Sequence, residues 1–166
     1  MEKEIAQHEG ELWGRVFSRE NLYAALERVQ KNGGAPGVDG MTVEELGEHL
    51  REHWESIRGK LETGRYQPSP VKRVEIPKFG GGRRQLGIPT VLDRMIQQAL
   101  HQVLSEEFEG TYSDHNYGFR PGRSAHEAVE AAREYIEAGY RWVVDIDLKE
   151  FFDKVNHDRL MARMKT

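Results

Sequence analysis

The sequence predicts an α+β fold, mostly helical, with one β-hairpin and one further strand. Three observations predict it. Apolar residues recur at helical spacing in separate segments, most of them opened by a capping residue. Two short extended runs flank the glycines of "FGGG", which is a hairpin pattern. Near the end, "WVVDIDL" combines aromatic and β-branched residues with a period of two.

The elements follow in order. Residues 1–17 form an N-terminal segment. Ser18 caps "RENLYAALERV", which puts Leu22, Ala25, Leu26 and Val29 on one helical face. The helix stops at "KNGGAPGVDG", whose glycines and proline make a shaped loop. Thr42 and Glu45 have capping-box spacing, and Val43, Leu46, Leu50, Ile57 and Leu61 extend an apolar stripe to about Thr63. The hairpin "VKRVEIPK" and "RRQLGIP" comes next. From Thr90, a broad helical face carries Leu92, Met95, Ile96, Ala99, Leu100, Val103 and Leu104. The loop "YSDHNYGFRPGRS" leads to the amphipathic "AHEAVEAAREYIEAG", closed by Gly139. The strand follows, and Asn156 caps a last helix that runs to Thr166 without a C-cap, as a truncated chain would. The expected domain limits are 1–17, 18–110 for the first structured region and 111–166 for the second.

Composition sets bounds on function. With 37% hydrophobic and 31% charged residues the chain is polar, but the helical spacing argues for order. No cysteine is present, which excludes a disulfide framework and a thiolate zinc site. "MEKEIAQHEG" lacks the features of a secretory signal and no apolar run approaches a membrane span, so a cytoplasmic protein with no membrane partner is expected. The net charge of −4 argues against a nucleic-acid binder until its distribution is read. Residues 1–62 hold eight Lys/Arg against thirteen Asp/Glu, whereas residues 65–94 hold seven against two. The hairpin is therefore the centre of a basic block.

The aspartates of the strand raise the sharpest question. On a strand Asp145 and Asp147 share one face while Val144, Ile146 and Leu148 take the other. Two carboxylates side by side repel unless a cation or water neutralises them, and a hard divalent ion prefers such ligands. Exposure at a strand end is the alternative. Asp153 and Asp158 read as partners or caps near a helix start. "HLREH" at 49–53 fits a zinc-peptidase spacing, but no third ligand follows in a recognisable context, and solvated helix-face histidines are the better reading.

Taken together, "GAPGVDG", "VEIPKFGGGRRQLGIPTVLDRMIQQAL", "NYGFRPGRSAHEAV" and "DLKEFFDKVNHD" resemble the reverse transcriptase domain of group II intron-encoded proteins, in motif order, from about residue 20 onward. The resemblance implies a right-hand polymerase, with fingers first and the palm beginning at the end of this chain. It selects Asp147 over Asp145 as the catalytic, metal-binding carboxylate, adds the carbonyl of Leu148 as a ligand, and implies a two-ion Mg²⁺ site. It places Lys72, Lys78 and Arg84 against the dNTP, and Phe152 beneath its sugar, where it would exclude a 2′ hydroxyl. Arg73 and Arg83, together with Tyr117, Phe119, Arg120 and Arg123, would contact template RNA, an aromatic and guanidinium mixture suited to an unpaired strand. Solvent for the two hairpin arginines and packing for Phe119 stay open. The "GGAPGVDG" loop resembles one that covers the template.

The same resemblance implies RNA, a DNA primer and dNTPs as partners, and retrohoming and assisted splicing as the biology. The family's Tyr-x-Asp-Asp turn is not in this sequence, so these residues alone are expected not to polymerise DNA. A non-catalytic intron-RNA-binding module and a retron or CRISPR-associated relative are the alternatives. Exposed apolar surface of fingers and palm is expected to favour a homodimer.

Overall fold

The computed structural model describes residues 10–77, 79–148 and 151–164, and within the last span the side chains of Phe152, Asp153 and Met164 lie outside the description. The chain divides into two compact units at Ser113/Asp114.

The first unit is a helical layer that carries the hairpin. Residues 10–16 are helical (α1), an element the sequence reading left unassigned. Helix α2 spans Arg19–Asn32; Ser18 is its N-cap, its hydroxyl accepting from the Asn21 N–H at 3.3 Å. Helix α3 spans Leu46–Glu62 and starts later than the capping-box pattern suggested. Residues 43–45 form a turn, yet the Glu45 carboxylate accepts from the Thr42 N–H at 2.8 Å. The reach-back half of the box thus closes the turn before regular helix begins.

Strands β1 (Lys72–Pro77) and β2 (Arg83–Ile88) pair antiparallel, and helix α4 (Val91–Phe108) ends in a 3₁₀ turn over Glu109–Thr111. The core lies where α2, α4 and the start of α3 meet. It is built from Val16, Ala25, Val29, Val43, Leu46, Val91, Met95, Ala99 and Val103. These are mostly the positions that helical spacing selected; Leu104 sits at the rim, 38% exposed. A polar tie reinforces the packing: Asn21 donates to the carbonyls of Val16 and Ala99, and its own side-chain oxygen accepts from Gln102 at 2.6 Å.

In the second unit, α5 (Ala125–Glu137) is capped by Ser124, whose hydroxyl accepts from the Glu127 N–H and donates to its carboxylate. It closes through the Gly139 N–H on the Ile136 carbonyl. Short helix α6 (Phe151–Lys154) precedes α7 (His157–Met164), where the Asn156 side chain accepts from the Arg159 N–H at 2.9 Å, as a cap does.

One expected element does not form. Residues 141–148 have no strand assignment, and Trp142, Val144 and Ile146 are 95%, 81% and 81% exposed. The alternating pattern marks residues suited to a sheet, but a strand exists only through a ladder to a neighbour. Among the described residues the sheet has two strands, both in the hairpin.

Candidate functional site

The hairpin sorts its basic residues by face. The register pairs Lys72 with Ile88, Val74 with Leu86 and Ile76 with Arg84 on one face. Arg73 with Gly87, Glu75 with Gln85 and Pro77 with Arg83 occupy the other. Lys72 and Arg84 therefore share one side, and Arg73 and Arg83 share the opposite one, a division that the sequence left open for the arginines. Arg83 is paired with Glu75 at 2.9 Å. The side chains of Lys72, Arg73 and Arg84 are exposed and make no hydrogen bond or ion pair among the described residues. At the tip, Gly80, Gly81 and Gly82 all have φ between 82° and 102°, a conformation open to glycine and costly for other residues. Lys78 lies outside the described residues.

Two residues that the sequence reading passed over organise the base of this hairpin. Asp93 is 3% exposed, and its carboxylate accepts from the Thr90 hydroxyl at 2.6 Å, the Tyr66 hydroxyl at 2.7 Å and the Ser69 N–H at 3.0 Å. Three donors compensate the burial of a charge. Burial, and then the bond to Asp93, push the Tyr66 phenol well above its ordinary pKa. The signal was present: Thr90 and Asp93 are an N-cap and an acidic residue at capping spacing. Arg94 donates to the carbonyls of Gly33 and Ala35 at 3.1 and 3.0 Å and so holds the glycine-rich loop. Nothing local in the sequence marks that contact, since it joins residues some sixty positions apart.

In the second unit, Arg123 stacks over the Tyr117 ring with 4.7 Å to its centroid, donates to the Asp114 carbonyl, and approaches the Glu127 carboxylate at 3.6 Å. Arg123 and Tyr117 thus brace the loop from within. Arg120 is partly buried. Phe119 is fully exposed, at 108%, with φ of 54°. The packing alternative for its ring is therefore corrected: the left-handed backbone turns it to solvent instead of a core. Left-handed backbone in a bulky residue is uncommon and directs attention to function.

Asp145, Asp147 and Leu148 are exposed on the 141–148 segment, which has no ladder to define a shared face. No strand therefore sets the two aspartates on one face, where the alternation predicted them. Phe152 belongs to α6, but its side chain lies outside the described residues. The His49 and His53 rings lie 4.6 Å apart on α3, with Glu52 at 3.7 Å from His53. Among the described residues, no three His, Cys, Asp or Glu side chains form a group able to hold a metal ion. The aspartate oxygens suit a hard divalent ion in kind, but they do not make a complete site by themselves. No described helix is long and apolar enough to cross a membrane.

A chain of a Cas6-RT-Cas1–Cas2 complex shares this fold with a TM-score of 0.51 over 93% of the present chain and 15% of its own, at 23% identity. The family model for reverse transcriptase (RNA-dependent DNA polymerase) matches residues 76–166, more than half of the sequence, and the chain belongs to that family. Protein YkfC of Escherichia coli K12 is 37% identical over 158 residues, which is 91% of this chain and 42% of that protein. The group II intron-encoded protein LtrA of Lactococcus lactis subsp. cremoris is 34% identical over 141 residues, 84% of this chain and 23% of its own length. The chain thus spans less than half the length of these relatives. Group II intron proteins are among its relatives, as the motifs implied, and the family implies divalent-metal chemistry.

Proposed function

We propose that these residues supply the fingers and the opening of the palm of a cytoplasmic group II intron reverse transcriptase and maturase. That enzyme is an RNA-directed DNA polymerase that copies intron RNA into DNA and assists splicing. Residues 18–110 would form the N-terminal extension and fingers, and residues 111–166 the passage into the palm. The observation that carries the reading is the hairpin register. Two basic faces on one hairpin suit two ligands: Lys72 and Arg84 for the triphosphate of a dNTP, a role that Lys78 would share, and Arg73 and Arg83 for the template backbone. Phe119 and Arg120, on the loop that Arg123 and Tyr117 brace, suit an unpaired RNA strand.

Asp147, with the carbonyl of Leu148, would contribute part of the ligand set of a divalent ion, with Mg²⁺ favoured by its hard oxygen ligands. Phe152 would select against a 2′ hydroxyl. The exposed apolar side chains of Trp142, Val143, Val144, Ile146 and Leu148 offer a surface through which two copies could associate.

The test is primer extension on an RNA template with dNTPs and Mg²⁺, using the polymerase that contains these residues. Asp147→Ala is expected to abolish extension and leave RNA affinity intact; an equal fall in RNA affinity would overturn the metal assignment. The lack of a Tyr-x-Asp-Asp sequence favours a second reading for residues 1–166 alone, that of an RNA-binding module. This segment by itself is expected to bind RNA without extending a primer.

A further inference from the structure

We infer that the first turn of α4 is a shared anchor that holds the basic hairpin and the 33–40 loop at a fixed separation, with Asp93 and Arg94 as its positioning residues. The hairpin has little else to fix it. Five of the six β1 residues are exposed, as are five of the six in β2, so core burial does not set its direction. Its base does.

Ser69 lies three residues before β1 and Thr90 two residues after β2, and both donate to the one buried carboxylate of Asp93. The incoming and outgoing legs are thereby tied at a single point. Tyr66 adds a third donor from the incoming leg. Neither leg can shift without breaking a hydrogen bond to this buried carboxylate.

The next residue grips the loop. Successive helical side chains leave the axis about 100° apart, so Asp93 and Arg94 can hold different elements from one turn. The Arg94 guanidinium spans the carbonyls of Gly33 and Ala35. Gly34, between them, has φ of 105°, and a Cβ there would lie 2.8 Å from the Arg94 Nη1. Gly37, which is buried, seats the loop against the Pro89–Thr90 backbone at the hairpin exit. The loop is therefore held at the start of α4 by both an arginine clamp and a close backbone approach, at the point where the hairpin legs are tied. In the polymerase reading, on which the functional consequence rests, this fixes the spacing between the loop that covers the template and the hairpin that meets the dNTP.

The chain has no cysteine, so Val38→Cys and Gln85→Cys, both at exposed positions, accept spin labels at unique sites in the full chain. Pulsed dipolar spectroscopy is expected to give a narrow label-to-label distance distribution. Asp93→Asn, whose amide offers one acceptor and two donors where three donors converge, is expected to broaden it. Arg94→Gln is expected to broaden it from the loop side. A distribution as narrow in both variants as in the parent would overturn the anchor. If Asp93→Asn fails to fold, Arg94→Gln decides alone.

In the polymerase containing these residues, Asp93→Asn is expected to raise KM for dNTP several-fold more than it lowers kcat. Equal effects on both would overturn the positioning role. If the unsubstituted polymerase shows no extension at all, the polymerase reading falls while the distance measurement still decides the anchor.

Discussion

Replacing Gly37 by alanine tests the seat of the loop directly. A Cβ built on Gly37 would lie 2.7 Å from the Thr90 Cα, 2.9 Å from the Thr90 nitrogen and 3.1 Å from the Pro89 carbonyl carbon. All three are backbone atoms at the start of α4, so no side-chain rotation relieves the overlap. Gly37 does not have positive φ, which leaves steric conflict as the cost. Overpacking of this kind costs about 1–3 kcal/mol. Loss of backbone freedom in the unfolded chain returns about 0.4–1 kcal/mol, so the net destabilisation is about 1–2 kcal/mol. At a urea dependence of about 2 kcal/mol per molar, the unfolding midpoint should fall by roughly 0.5–1 M.

Tryptophan fluorescence is the suitable probe. Trp13 and Trp54 both pack against Phe17, at 4.7 and 6.2 Å between centroids, whereas Trp142 is 95% exposed before unfolding begins. The signal change therefore reports the first unit. Gly59→Ala is the internal control: it lies within α3 with nothing within 4 Å of an added Cβ, and should stabilise by about 0.5–1 kcal/mol. If Gly37→Ala raised the midpoint as Gly59→Ala does, the close approach of loop and helix start would be refuted.

Three further outcomes are expected. Leu46, fully buried, should lose about 2–5 kcal/mol on truncation to alanine, against less than about 1 kcal/mol for Leu104→Ala at the rim; the same urea titration compares them. The folded chain keeps the Tyr66 proton at a pH where the unfolded chain, with an ordinary value of 10.0, releases it. That stabilisation is complete below pH 10 and declines as pH rises beyond it, and midpoints measured across about pH 9 to 11 should lose this part of their slope in Tyr66→Phe. On the hairpin, in the polymerase proposed to contain these residues, Arg84→Ala should raise KM for dNTP by about 10–100-fold, the equivalent of one lost charge-assisted bond. Arg73→Ala, on the other face, should lower RNA affinity and reduce the salt slope by about 1. Equal effects of both substitutions on both ligands would contradict the two-faced hairpin.

Much of this protein was legible from local sequence because the relevant interactions are local. Ser18, Ser124 and Asn156 cap the helices that follow them, since a short polar side chain reaches an N–H three residues on wherever the chain runs. The stripe from Met95 to Val103 found the core because helical spacing fixes which residues share a face. The hairpin was set by its extended runs and glycine tip, and the motif order identified the family. The tertiary structure decided what depends on pairing across distance. Register assigned Arg73 and Arg83 to one face and Arg84 to the other, because a one-residue slip would exchange them. Thr90 and Asp93 carried a capping pattern, but only folding brought Tyr66 and Ser69 to the same carboxylate. Arg94 met the loop carbonyls across some sixty residues. The run from Trp142 to Leu148 has the alternation of a strand and lacks one, because side-chain pattern is a property of one segment and a β-ladder is a property of two.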